Sequence, residues 1–340
     1  MNTIWFLLWG ILWIVYFILD GFDLGLGTLM PFIAKNEEEK RIIYNAIGPF
    51  WDGNEVWLIS AGGITFAAFP KTYAVMFSGL YTALMLLLVA LIIRGVSFEF
   101  RGKVDSKFWK GVWDICLFVG SFLPALLLGV AFANIFKGIP IDENGVFHGN
   151  ILTLLNPYGL IGGVLFVLLF LEHGALWLCI RSTGDLQIRA AVIATRIWQA
   201  KVVVFVLFLA LSVFVTDLFS NYFHHIYLLP ILILPIYGLF LSRNAIAAQK
   251  WVKAWIGSAL TIAGTTLFGL LGIYPNMLPS SIDPKYSVTI YNGSASPLTL
   301  KIMLIVALIF VPIVILYQLW VYKKFAHPIT KDDLAYEEAY

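Results

Sequence analysis

The stretch TIWFLLWGILWIVYFILDGFDLGLGTLM, residues 3–30, decides the class of fold. A helix needs about 20 mostly apolar residues to cross a bilayer, and this stretch is longer and carries only two charged residues, Asp20 and Asp23. A cleaved signal peptide has a basic start and small residues at its cleavage site, whereas this stretch is bulky throughout and the first lysine is Lys35. The stretch therefore predicts a retained transmembrane helix.

The whole chain has the composition of a membrane protein. Of its 340 residues, 60% are hydrophobic and 12% are charged, whereas a soluble domain is about a quarter charged. This composition excludes a soluble globular protein, and a formal net charge of +2 is too small to indicate a nucleic-acid partner. Cys116 and Cys179 lie in apolar runs without a partner at metal-site or disulfide spacing, which is typical of small apolar residues.

Hydropathy predicts an all-α membrane protein with nine transmembrane helices in a polytopic bundle, forming a single integral-membrane domain over residues 1–340. The longest connections, 137–157 and 275–299, are rich in Pro, Gly, Asn and Ser and are predicted to be loops. The predicted spans are approximately 3–30, 50–69, 73–93, 111–136, 158–180, 196–219, 225–242, 252–274 and 300–322.

The distribution of lysine and arginine predicts the orientation of these spans. Seventeen of these residues fall in the connections after spans one, three, five and seven and in the C-terminal tail, and four fall on the opposite side. Short cytoplasmic loops carry an excess of Lys and Arg. We therefore expect the N-terminus outside and the C-terminus in the cytoplasm.

Ionisable residues inside spans are the most informative feature of the sequence, because a charge at the bilayer centre costs about 2.5 to 3.5 kcal/mol. With the predicted orientation they all lie in the cytoplasmic half of the membrane. This shared depth favours a hydrated proton path that leads from the cytoplasm toward the middle of the membrane. The residues are Asp20, Asp23, Asp52, Glu55, Asp114, Glu172, His173 and Lys201.

Packing is the alternative interpretation for each of these residues, since acids near helix ends reach the interface or accept hydrogen bonds from neighbours. It is favoured for Asp114, which follows the basic segment 101–110. The proton path is favoured for Asp23 and Asp52. Asp20 with Asp23, and Asp52 with Glu55, are each three residues apart and hence on one helical face.

Small and aromatic residues surround these acids. Gly21 and Gly25 are spaced to let a neighbouring helix approach closely, and without a preceding strand they do not indicate a nucleotide-binding loop. Trp51 and Trp57 fit two interpretations, a pocket for a quinone ring or a small apolar gas, or an interfacial aromatic belt.

The sequence predicts neither a metal site nor a haem ligand in this chain. His173 is the only histidine in the interior of a predicted span, since His225 lies at the outer end of the seventh, so no pair of histidines on facing helices can be made at one depth. Its position next to Glu172 favours a hydrogen-bonded or proton-handling group. We therefore expect any haem to lie in a partner protein.

Four motifs resemble the signatures of subunit II of cytochrome bd quinol oxidase, and the resemblance runs from the first helix to the C-terminal tail. The eight-residue motif at 51–58 is the most specific of them. They are DGFDLG at 20–25, WDGNEVWL at 51–58, Arg94 with FEFR at 98–101, and NPYGL at 156–160.

The resemblance implies a nine-helix subunit of a complex in the bacterial or archaeal cytoplasmic membrane. Subunit I is then expected to carry the haem b and haem d groups and the quinol site, and small single-span subunits and lipid are further expected partners. The complex oxidises quinol and reduces oxygen to water with protons taken from the cytoplasm. No nucleic acid is expected.

The resemblance also implies roles for individual residues. Asp23 and Asp52 match acids of a proton path, to which Asp20 and Glu55 are assigned by their position. Trp57 matches a residue near a lateral oxygen entrance, and Trp51 adjoins a region where a structural quinone binds. The proton handling assigned to Glu172 and His173 comes from their position inside a span and not from the resemblance.

Two other functions remain open at this stage. A proton-coupled secondary transporter also uses intramembrane acids, but it predicts an inverted repeat with broken helices, which the sequence does not reveal. A purely structural partner that stabilises subunit I by helix packing would tolerate neutralisation of every acid.

Overall fold

The computed structural model describes residues 1–335, which form fourteen α-helices, one short β-hairpin and three 3₁₀ turns. The strands are β1 (Asn276–Leu278) and β2 (Val288–Thr289), which pair antiparallel. The helices are α1 (Asn2–Ile33), α2 (Glu37–Ile47), α3 (Trp51–Ala68), α4 (Pro70–Gly79), α5 (Tyr81–Phe100), α6 (Lys107–Lys137), α7 (Ile151–Leu154), α8 (Pro157–Arg181), α9 (Gly184–Val215), α10 (Leu218–His224), α11 (Leu229–Ala247), α12 (Trp251–Ile273), α13 (Pro297–Lys324) and α14 (Lys331–Ala335).

Eight helical segments within residues 1–335 are long and apolar enough to cross a membrane, where the sequence predicts nine. They contain α1, α5, α6, α8, α9, α11, α12 and α13. The second predicted span corresponds to α3, an 18-residue helix that falls short because its first five residues include Asp52, Asn54 and Glu55.

Two of the predicted spans differ more than the others from the helices in their limits. The third, 73–93, is divided by a break at Leu80 into α4 and α5, and α5 continues to Phe100. The sixth, 196–219, begins too late, because α9 starts at Gly184 with two polar turns that hydropathy does not register. Hydropathy locates the apolar part of a helix, and polar turns beyond the membrane boundary escape it.

The connection between the first two spans contains a helix that the sequence analysis did not predict. Asn36 caps α2 by accepting a hydrogen bond from the backbone N–H of Glu39 at 2.9 Å. The buried residues of α2, which include Ile43, Tyr44 and Ile47, lie against the bundle, while the first turn of this helix is acidic. The helix is therefore amphipathic and lies at one end of the bundle.

The centre of the bundle is α1, which packs against α3, α6, α8 and α12. Its approach to α8 is so close that a Cβ on Gly25 would overlap the carbonyl oxygen of Phe170. On α8, a Cβ on Gly174 would likewise overlap the backbone of α1. The close helix approach predicted from Gly21 and Gly25 is thereby confirmed.

The two termini of the described chain lie at opposite ends of the bundle. Asn2 Nδ2 donates to the Ile290 carbonyl at 2.8 Å in the connection between α12 and α13, and this defines the amino-terminal end. At the other end, the tail end, Arg41 donates to the Leu334 carbonyl at 2.6 Å, and Arg181 donates to the carbonyls of the segment that follows α13.

The two long connections lie together at the amino-terminal end. The backbone N–H of Ile139 donates to the Pro279 carbonyl at 3.0 Å, and that of Ala295 donates to the carbonyl of Ala68, the last residue of α3, at 2.8 Å. These connections form a cap of loops, the short helix α7 and the hairpin at this end of the bundle.

Candidate functional site

The candidate site is a cluster of buried acids on α1 around a buried arginine of α5. Arg94 Nη2 lies 2.6 Å from Asp20 Oδ1, and both side chains are essentially inaccessible. The same nitrogen lies 3.6 Å from Glu55 Oε2 on α3. The site therefore joins three helices through one guanidinium group.

This position of Arg94 corrects one assumption in the orientation argument. The sequence analysis counts Arg94 among the basic residues of a connection, but the structure places it inside α5 with 0% exposure. A cation is tolerated there because Asp20 neutralises it and accepts its hydrogen bond. Hydropathy gave no sign of this pair, whose members are 74 residues apart.

Asp23 occupies the same face of α1, three residues after Asp20, and is 1% exposed. Its Oδ2 accepts a hydrogen bond of 2.8 Å from Asn54 Nδ2. Asn54 Nδ2 also donates to the carbonyl of Leu19 at 3.1 Å, and the hydroxyl of Tyr322 on α13 donates to Asn54 Oδ1 at 2.8 Å. Asn54 thus links α1, α3 and α13.

Several buried polar atoms of the cluster have no protein partner among residues 1–335. They are Asp20 Oδ2, Asp23 Oδ1, and the Nε and Nη1 atoms of Arg94. Buried polar atoms without a protein partner generally bind ordered water, since leaving them unsatisfied costs about 1 to 3 kcal/mol each. The arrangement is therefore suited to internal hydration.

Asp52 does not lie beside Asp23 within this chain. The buried positions of α3 are Asn54, Trp57, Ala61, Thr65 and Ala68, which form one helical stripe, and the exposed Asp52 lies outside it. Glu55 lies between the buried stripe and the exposed face of α3, with a side chain that is 19% exposed. The four predicted acids thus run from the surface of the chain, at Asp52, to its interior.

Asn54 and Tyr322 are site residues that the sequence analysis missed. Neither carries a charge that would mark it as anomalous in a span. For Asn54 the signal was present in the helical stripe of α3, which includes position 54 and excludes position 52.

The two tryptophans that the sequence analysis singled out, Trp51 and Trp57, are next to the cluster. Trp51 stacks on Phe98 of α5 with ring centroids 5.3 Å apart and an interplanar angle of 8°. Trp57 is 6% exposed and its indole N–H donates to Gln318 Oε1 of α13 at 2.9 Å. Both rings make contacts between helices.

Glu172 and His173 lie outside the cluster, on α8. Glu172 forms an ion pair with Lys201 of α9, and both side chains are 0% exposed. His173 Nε2 donates to the carbonyl of Ile18 at 3.1 Å, which leaves Nδ1 to accept from the Ser258 hydroxyl at 3.0 Å. Since both nitrogens are engaged, His173 does not fit the role of an axial haem ligand.

Asp114 lies at the tail end, where it accepts from Arg101 Nε and from Lys40 Nζ, each at 2.7 Å. These contacts are those of a packed interfacial acid. Within the described residues, no group of three or more His, Cys, Asp or Glu side chains is arranged to hold a metal ion. Both cysteines are free thiols.

Comparisons with known proteins identify the family. A model of the family described as "Cytochrome bd terminal oxidase subunit II" matches residues 1–325. The chain is 38% identical to "Cytochrome bd ubiquinol oxidase subunit 2" of Bacillus subtilis (strain 168), with 99% of each chain covered. It is 37% identical to "Cytochrome bd-I ubiquinol oxidase subunit 2" of Escherichia coli (strain K12), with 98% of this chain and 96% of that one covered.

A solved structure shares the fold. "The structure of bd oxidase from Geobacillus thermodenitrificans" contains a chain that superposes with a TM-score of 0.77 at 18% identity, covering 95% of this chain and 97% of that one.

Proposed function

Because the chain belongs to the family of cytochrome bd terminal oxidase subunit II, and is thus part of a membrane quinol oxidase, we propose that its buried acidic cluster supplies protons for oxygen reduction in a partner subunit. The single observation that carries this proposal is Asp23, a fully buried carboxyl group with one oxygen unpaired among the described residues. The transporter alternative has no support from the family or from these relatives.

Charge balance supports the proposal. One guanidinium group, Arg94, faces Asp20 and Glu55 directly, and Asp23 lies one helical turn from Asp20. Three carboxyl groups around one buried cation are not all ionised at low cost, because like charges in a low-dielectric interior repel strongly. One of these carboxyl groups is therefore expected to hold a proton and to release it when a neighbouring charge changes.

The four acids have different parts in this proposal. Asp52, at the exposed start of α3, receives protons, and the half-buried Glu55 passes them toward the interior. Asp20 remains paired with Arg94 and fixes the local charge. Asp23 is the innermost member that transfers the proton onward, with internal water completing the path.

The haem groups of the complex are assigned to a partner subunit. The family implies a haem-containing complex with a quinol substrate and a subunit I. We assign the haem b and haem d groups to subunit I, since His173 offers no free nitrogen.

We further propose that α3 is the ninth crossing and that the tail end faces the cytoplasm of a bacterial inner membrane. Thr65, near the end of α3, bonds to Trp9 near the start of α1, whereas Asn54 bonds to Asp23, so α3 runs antiparallel to α1 along most of its length. An odd number of crossings is consistent with termini at opposite ends. The basic residues at the tail end favour a cytoplasmic location.

The test is the Asp23→Asn variant in the assembled oxidase. Proton transfer by a positioned group contributes about 10² to 10⁴ in rate, so we expect oxygen consumption with quinol to fall by at least about tenfold while the haem spectrum and the bound partner are retained. Asp105→Asn is the matched control, because the Asp105 side chain is 99% exposed. Unchanged turnover in Asp23→Asn would leave the chain with a packing role only.

A further inference from the structure

Helix α13 is fixed to the bundle by polar contacts near its C-terminal end. Of its residues only Leu300 is buried, although the helix extends from Pro297 to Lys324. Gln318 Nε2 donates to the Gly53 carbonyl at 2.9 Å, and Gln318 Oε1 accepts from Trp57. One turn later, the Tyr322 hydroxyl donates to Asn54 Oδ1 at 2.8 Å. We call these contacts the polar seam.

The polar seam connects directly to the innermost acid. Asn54 uses its amide oxygen to accept from Tyr322 and its amide nitrogen to donate to Asp23 Oδ2 and to the Leu19 carbonyl. With the amide rotated by 180°, its oxygen would face two other acceptors, and its nitrogen would lie against the Tyr322 hydroxyl. The Leu19 carbonyl and the ionised Asp23 carboxylate, which only accept, therefore select this orientation. The Tyr322 hydroxyl, which could also accept, then holds the amide by donating to its oxygen.

The Tyr322 ring is itself held in place without its hydroxyl. It packs against Phe50 with ring centroids 4.6 Å apart. Gln318 fixes the helix in register one turn away. The hydroxyl is consequently aimed at Asn54 by contacts that do not involve Asp23.

From this geometry we infer that Tyr322 is a positioning residue for the proton path: by donating to the amide oxygen, its hydroxyl holds the Asn54 amide in place so that an N–H group stays directed at Asp23. The inference rests on the proposed function of Asp23. A donor fixed in advance needs no reorganisation when the carboxyl group gains or loses its proton, and such preorganisation lowers the barrier to transfer. Tyr322 acts through Asn54 and transfers no proton itself.

The experiment compares Tyr322→Phe with the parent oxidase, with Tyr317→Phe as the control. Tyr317 is on the same helix, is 63% exposed and takes no part in the contacts of the polar seam. For Tyr322→Phe we expect kcat to fall about three- to tenfold, the size of one net hydrogen bond, with the KM for quinol unchanged within about twofold. Tyr317→Phe is expected to match the parent.

A double-variant cycle separates positioning from general stabilisation. If Tyr322 acts through Asn54, Tyr322→Phe should cause no further loss in an Asn54→Ala background. Equal losses in both backgrounds, or a parental kcat in Tyr322→Phe, would overturn the inference.

If Asn54→Ala does not assemble, infrared difference spectroscopy replaces the cycle. The carboxyl band that disappears in Asp23→Asn should then shift in Tyr322→Phe and stay in place in Tyr317→Phe, and an unshifted band in Tyr322→Phe overturns the inference.

The same set of variants distinguishes the two proposals. Slow turnover in Asp23→Asn with parental turnover in Tyr322→Phe removes the positioning role and leaves the proton path intact. Parental turnover in Asp23→Asn removes the proton path, and the positioning role with it.

Discussion

At the scale of single residues, Arg94 determines whether the acidic cluster is stable. It is fully buried and its Nη2 atom contacts Asp20 and Glu55, which lie on two other helices. Removing one member of a buried ion pair leaves an uncompensated charge and costs about 3 to 5 kcal/mol, whereas replacing both members is often close to neutral. The pair therefore has a testable energetic signature.

We predict that Arg94→Gln destabilises the complex by about 3 to 5 kcal/mol because the Asp20 carboxylate is left buried without its cation. The double variant Asp20→Asn with Arg94→Gln should recover most of this loss. Thermal unfolding in detergent, followed by haem absorbance, measures both. A double variant as unstable as Arg94→Gln alone would show that Arg94 stabilises the fold by contacts other than Asp20.

The sequence could identify the acids but not their partners. Asp20, Asp23 and Glu55 are conspicuous because a charge in an apolar span is costly. Asn54 and Tyr322 are neutral and carry little cost, and the contact between Asn54 and Tyr322 joins residues 268 positions apart. Such long-range pairing depends on how helices pack, which local periodicity does not specify.

At the scale of elements, the close contact between α1 and α8 fixes the face of α1 that carries the acids. Gly25 on α1 and Gly174 on α8 lie where the two backbones meet. This packing turns Asp20 and Asp23 toward α3 and α5, where Asn54 and Arg94 lie. The glycine spacing was readable in the sequence, whereas the identity of the facing helix was not.

We predict that Gly25→Ala destabilises the fold by at least about 1 to 3 kcal/mol, since its Cβ would overlap the Phe170 carbonyl oxygen and force the helices apart. Gly62→Ala on α3 is the matched control, because no atom from outside the neighbouring turns of its own helix lies within 4 Å of the Cβ it would add. In a helix this control change is neutral or stabilising by up to about 1 kcal/mol. Comparable thermal unfolding of the two variants would contradict the close approach.

Helix limits show which parts of an element hydropathy detects. The predicted eighth span, 252–274, agrees closely with α12, in which Lys253 is the single charged residue. In contrast, the first two turns of α9 are polar and include Arg189, which pairs with Glu39 of α2 at 2.6 Å. Hydropathy consequently misplaces the limits of helices that extend beyond the membrane and contact each other there.

At the scale of the whole molecule, the two ends of the bundle differ in chemistry. The amino-terminal end is closed by the loops and the hairpin of connections 137–157 and 275–299. The tail end gathers α2, α14 and the basic residues that bond to them, such as Arg41 and Arg189. A proton path that begins at Asp52 therefore opens toward the tail end, and its function depends on which side of the membrane that end faces.

The orientation is tested by labelling single cysteines at the two ends with a membrane-impermeant maleimide. Glu143→Cys lies in the exposed loop at the amino-terminal end and Lys103→Cys is exposed at the tail end. Because the basic tail end is expected in the cytoplasm, intact cells should label Glu143→Cys, and Lys103→Cys should react only after the membrane is permeabilised. The parent chain gives the background from Cys116 and Cys179. The reverse pattern would place Asp52 on the outer side, where it could not collect protons from the cytoplasm.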